Sequence, residues 1–217
     1  MNRKLMIKKL GMYILGLFLY ALGIGITAKT NLGIMPVSTL PYALSFILPF
    51  SFGICTFFLT VIYILIQKIL LKNDFETRQY LQIVVGVLFS FFVDFSMFLI
   101  KNLELQKYSE KLAFLILGCF IVAIGITLSV VADVIIPPAE GAINAISIKT
   151  GLKFGNVKIL FDSAITMLAI IVSLIFIGHL EGFKEGTIIS IFVTGIFTKI
   201  LMKYLSKKLH LFIETSK

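Results

Sequence analysis

The chain has 217 residues, 59% of them apolar and only 14% charged, with a formal net charge of +9. A soluble domain carries about a quarter charged residues, and here the apolar residues gather in runs of about twenty, the length that crosses a hydrocarbon core. A soluble fold is therefore excluded, and the placement of the basic residues at the ends of apolar runs argues against nucleic-acid binding.

The first apolar segment is 11–29, preceded by Arg3, Lys4, Lys8 and Lys9. Further long segments follow at 53–71, 79–101, 112–133, 154–178 and 186–205, and Lys203, Lys207, Lys208 and Lys217 accompany the end of the last. Basic residues beside membrane spans mark the cytoplasmic side, so both termini are expected in the cytoplasm and the number of spans is even. Two shorter apolar segments, 36–49 and 138–149, each begin at a proline. Proline suits the first turn of a helix, and at about 1.5 Å per residue each reaches about 20 Å, short of a bilayer core of about 30 Å. Gly53 and Gly155 read as tight turns into the long segments that follow.

The chain also repeats itself. Residue i matches residue i+102 at Gly16/Gly118, Ala21/Ala123, Gly23/Gly125, Pro36/Pro138 and Gly53/Gly155, with no gap over forty residues. The first apolar segment thus recurs in mid-chain, which argues against a cleaved signal peptide. These observations predict a single all-α membrane domain over 1–217, with one repeat at about 11–105 and a second at about 113–210. Six transmembrane helices plus two short re-entrant half-helices would make the repeats inverted. Eight full crossings would make them parallel, and segment length favours six. Broken backbone at depth persists only where protein or a wet cavity satisfies its polar groups, and transporters use such half-helices to build sites near the midplane.

Charge within a span costs about 2.5–3.5 kcal/mol on insertion scales, so each polar residue there needs a partner or a purpose. Asp94 has no local base. Lys158 and Asp162 are one helical turn apart on one face, and Asn156 lies just before them. Glu140 falls in the first turn of the second short helix, with Asn144 one turn on; Ser38 and Tyr42 take the corresponding places in the first repeat. The bland readings are that Glu140 caps its own helix, that Lys158–Asp162 only orders packing, and that Lys199 snorkels to the interface. Taken together, Ser38, Tyr42, Asp94, Glu140, Asn144, Asn156, Lys158 and Asp162 are the candidate substrate-binding residues. The excess of carboxylates favours a cationic or zwitterionic ligand, or a proton. Helix N-termini at the same place would favour an anion.

The stretches GIGITAKTNLGIMPVSTL and GAINAISIKTGLKFGNVKILFD, with Glu185–Thr187 (EGT), resemble the YczE/YitT-like bacterial membrane proteins over about 11–205. That resemblance implies a multi-pass protein of the bacterial cell membrane without a settled activity. The chain departs from the common pattern in lacking a Trp after Pro36 and a soluble C-terminal domain. Cys55 and Cys119 lie in apolar runs as packing residues, and His179 and His210 lie near loops or the tail. No catalytic or metal-ligand pattern and no phosphate loop is present, so no cofactor and no enzyme activity are expected. The leading expectation is a small-molecule transporter with a site between the repeats, with proton coupling open. The alternatives are an accessory subunit of another membrane protein and a substrate-capturing subunit of a larger transport complex.

Overall fold

The computed structural model describes residues 3–214, and every described regular element is helical. Lys217 and the side chains of Lys4, Lys207, Lys208 and His210 lie outside the described residues. In chain order the helices are α1 (Arg3–Lys29), α2 (Pro36–Ile47), α3 (Phe52–Leu71), α4 (Leu81–Leu99), α5 (Tyr108–Ala132), α6 (Pro138–Thr150), α7 (Phe154–Phe176) and α8 (Glu185–Glu214), with two short 3-10 turns between α3 and α4. Six of them are long and apolar enough to cross a membrane: α1, α3, α4, α5, α7 and α8. The remaining two, α2 and α6, have 12 and 13 residues, so each reaches only about 18–20 Å.

Both short helices start at proline, as the sequence predicts: Pro36 and Pro138 occupy first-turn positions, where the missing N–H costs no helical bond. The glycines expected to turn the chain do not do so. Gly53 lies inside the first turn of α3, which Ser51 caps by accepting a bond from the Ile54 N–H, and the chain bends earlier, over 48–51. Gly155 likewise lies inside α7, and the left-handed residue that ends α6 is Gly151, at φ 72°.

At the centre α1 crosses α5, and these two are the most buried spans. Between helices in lipid the hydrophobic effect gives no drive, so close packing of small residues must hold the pair. Gly23 abuts the Gly118 carbonyl and Val122; Gly16 abuts Gly125 and Ser129. As the chain ascends α1 from 16 to 23, its partner on α5 descends from 125 to 118, so the two helices run antiparallel. Tyr13 near the start of α1 accordingly donates to the Ile135 carbonyl just past the end of α5, at 3.0 Å.

The other helices flank this pair. α4 packs on α1 and α8 on α5; α3 pairs with α4. The short helices bridge outward, α2 onto α7 and α3, and α6 onto α3 and α7. α7 and α8 make no packing comparable with α3 and α4, and they are the most exposed spans.

The connections at one end are stitched together. The loop before α2 meets the loop before α8: Ile34 N–H donates to Gly182 O at 2.9 Å, Gly186 N–H to Leu32 O at 2.7 Å, and Lys184 reaches Asn31. Gly33 stands at φ 117°, with Thr187 Oγ1 only 2.5 Å from where a Cβ would lie. NLGIMP and EGT, each only a part of the sequence quoted for the resemblance, therefore touch in space.

Candidate functional site

A cavity of about 180 Å3 lies where the first turns of both short helices come together. Val37, Ser38 and Pro41 of α2 face it from one side, and Pro138, Ala139 and Glu140 of α6 face it from the other. Leu17, Tyr20 and Ile24 of α1 form another wall, at the middle of that span; Thr56, Leu59, Thr60 and Tyr63 of α3 and Val85, Gly86 and Phe89 of α4 complete much of the rest. The lining is mainly apolar. Glu140 is its one acid, and no Lys, Arg or His lines it among the described residues.

Glu140 is the acid in the first turn of α6, a place where the helix dipole favours a carboxylate. Its charge acts on Tyr20 and Tyr63, both in the cavity wall, and on Lys158 and Asp162 of α7. Lys158 Nζ lies 3.2 Å from one Asp162 oxygen, the spacing expected one turn apart. The other Asp162 oxygen is buried without a partner, as is the Tyr63 hydroxyl. Buried polar atoms without a bond are uncommon and costly. Counting Glu140, Asp162 and Lys158 as ionised, the group carries one net negative charge.

Of the residues singled out from sequence, Ser38 and Glu140 line the cavity, and Lys158 and Asp162 stand within electrostatic reach of it. Four others are placed elsewhere. Asp94 accepts from Ser51 Oγ at 2.6 Å and from the Gly53 N–H at 2.7 Å, so its carboxylate is taken up by the N-terminus of α3. The partner that its own helix lacks comes from the neighbouring one. Tyr42, one turn beyond Ser38, packs edge-on against Phe46 and Phe52 on the side of the stitched loops. Asn144 is exposed and lines a different crevice, and Asn156 is exposed in the first turn of α7. Lys199 is exposed on α8.

That second crevice, of about 510 Å3, is polar and is lined by Asp74, Glu76, Arg78, Gln82, Asp133 and Asn144 among others. Between it and the cavity lies a pair of fully buried amides. Gln67 of α3 and Gln82 of α4 bond reciprocally at 2.8 and 3.1 Å, and Gln67 also donates to the Pro138 carbonyl at 3.1 Å. Gly141 of α6 leaves room for the amide: a Cβ there would fall 2.6 Å from Gln67 Oε1. This pair, together with Tyr20 and Tyr63, is not among the residues singled out from sequence. The signal for the glutamines was available, since amides in an apolar run need internal partners.

Among the described residues, no three His, Cys, Asp or Glu side chains are placed to hold a metal ion. Comparison with known proteins matches residues 7–203 to a family of unknown function, DUF6198, and the chain belongs to it. No curated protein and no solved structure matches the chain. Nothing found links it to the YczE/YitT-like proteins.

Proposed function

We propose that this member of DUF6198 carries a small molecule across the bacterial cell membrane, through the cavity between two inverted halves of the chain, with both termini in the cytoplasm. The observation that carries the reading is the convergence of the first turns of α2 and α6 on one mid-span cavity with a single carboxylate in its wall. Half-helix N-termini at the junction of two repeats are how transporters build midplane sites.

The inverted arrangement draws support from the glycine contacts. Adding 102 to Gly16 and subtracting it from Gly125 gives Gly118 and Gly23, which is the other contact of the same seam. A two-fold axis across α1 and α5 would exchange the halves and leave both contacts in place. The same exchange turns the α2–α7 packing into α6–α3, and α1–α4 into α5–α8. In this reading α2 and α6 are re-entrant, and their N-terminal ends lie at depth.

Alternating access needs a barrier on each side of the site. The Gln67–Gln82 pair is suited to be the barrier on one side. It separates the cavity from the polar crevice and holds the first turn of α6 by the Pro138 carbonyl. The stitched loops before α2 and α8 would close the opposite side. No catalytic step is assigned to the chain.

The test is uptake into liposomes holding the purified protein, using radiolabelled amines, amino acids, carboxylates and sugars. Entry of one class above the protein-free control, lost in Glu140→Gln, is the expected outcome; no uptake of any class counts against transport. One observation favours a second reading, an accessory or substrate-capturing subunit of a larger complex: α7 and α8 lack the mutual packing that the exchange of halves would give them. A stoichiometric membrane partner that co-purifies, with no flux by the lone chain, would select it.

A further inference from the structure

We infer that the cavity takes a small organic monocation, an ammonium group on a compact apolar or aromatic body. The inference deepens the transport reading and rests on the same cavity.

Size bounds the ligand first. An engineered apolar cavity of about 150 Å3 takes up benzene, so the cavity of about 180 Å3 here admits a ring with one short polar substituent. Charge comes next. Glu140 is the one acid in the wall, with no base beside it there. Lys158 is already paired with Asp162 at 3.2 Å, so with all three counted as ionised the group holds two acids against one base. A carboxylate in an apolar wall is costly unless a positive group joins it. A ligand cation would supply that group.

The helix ends point the other way when taken alone, since a helix N-terminus favours an anion. At α6 that place is already filled by Glu140 itself, the acid of its first turn. At α2 the first turn offers Ser38 and no base. An added anion would meet the Glu140 charge across an apolar space, where repulsion is weakly screened.

The rest of the wall fits an ammonium with an apolar body. Tyr20, Tyr63 and Phe89 line it, and aromatic rings attract cations through their faces. The Tyr63 hydroxyl, on a side chain 5% exposed, has no partner within the protein.

The experiment measures binding to the full chain in detergent by titration calorimetry against protein-free micelles, with four probes of nearly one shape. They are benzylammonium, benzyl alcohol, benzoate and phenylglycine. A hydrogen bond to a charged group is worth about 1.5–3 kcal/mol, which corresponds to about tenfold to hundredfold in affinity. Benzylammonium is therefore expected to bind at least about tenfold more tightly than benzyl alcohol. Glu140→Gln should erase that preference while leaving the melting temperature close to that of the parent, Glu140→Asp should keep part of it, and Lys199→Gln should leave it intact.

Equal affinity for benzylammonium and benzyl alcohol overturns the inference, as does preference for benzoate or phenylglycine. A preference for benzylammonium that survives Glu140→Gln overturns it too, and so does failure of all four probes to bind. The same probes in liposomes separate the two claims. Selective cation binding without flux removes transport and keeps the ligand class. Flux of benzoate but not of benzylammonium does the reverse.

Discussion

Replacing Gly23 by Ala places a methyl group at a close approach within the central seam. Its carbon would lie 2.6 Å from the Gly118 carbonyl oxygen and 2.8 Å from the Val122 nitrogen, whereas ordinary contact begins at 3.4 Å. These two are backbone atoms of α5, which cannot swing aside, and the Val122 side chain is closer still, at 2.5 Å. The two helices must part locally by about 0.8 Å, and packed interiors give up much of their dispersion energy over gaps of that size. Overpacking of this kind costs about 1–3 kcal/mol. Helix propensity acts oppositely, by up to about 1 kcal/mol in favour of Ala. Gly195→Ala is the control, because nothing lies within 4 Å of its added carbon. Reversible unfolding in mixed micelles with rising SDS should show Gly23→Ala less stable than Gly195→Ala by about 1–3 kcal/mol. Gly16→Ala and Gly125→Ala meet each other across the seam. Their double mutant should therefore cost less than the sum, since helices already parted accept the second methyl. Equal stability of Gly23→Ala and Gly195→Ala would refute the seam and, with it, the antiparallel α1–α5 core.

Asp94→Ala should lower stability by about 1–3 kcal/mol, through loss of the bonds from Ser51 and Gly53, while ligand binding persists; abolished binding in a folded Asp94→Ala protein would return this residue to the site. Gln67→Leu leaves the Gln82 amide buried and unpaired, costing about 1–3 kcal/mol, and Gln67→Leu/Gln82→Leu should recover part of that loss in the same unfolding assay. If the pair is a barrier, Gln67→Leu liposomes should also leak a loaded small solute faster than the parent, and unchanged leak speaks against the gate. For the inverted layout, Phe75→Cys should react with an impermeant thiol reagent only from the cytoplasmic side and Gln106→Cys only from outside, whereas the opposite pattern is that of eight parallel crossings.

The long helices were legible because length and apolar content are local properties: six runs of about twenty residues have few alternatives to spanning. Pro36 and Pro138 also announced the starts of α2 and α6 from sequence alone. Which face of those helices meets the cavity was not legible. Ser38 faces it and Tyr42 does not, although they are one turn apart, because Phe46 and Phe52 hold the Tyr42 ring elsewhere. Asp94 looked stranded because its partners, Ser51 and Gly53, lie 43 and 41 residues away in the chain. Tyr20 and Tyr63 gave no signal, since an aromatic residue in an apolar run is ordinary. The seam was half legible. The offset aligned Gly16 with Gly118 and Gly23 with Gly125, but only the fold pairs them crosswise.

The direct measurement is labelling at Ser38→Cys, with Cys55 and Cys119 replaced by Ala, in oriented proteoliposomes. A membrane-impermeant trimethylammonium thiol reagent is applied to one side at a time. If the cavity opens alternately between two halves, the cysteine reacts from either side, and benzylammonium protects it from both. Reaction from one face only under every condition, or none from either, would contradict a transport pathway through this cavity.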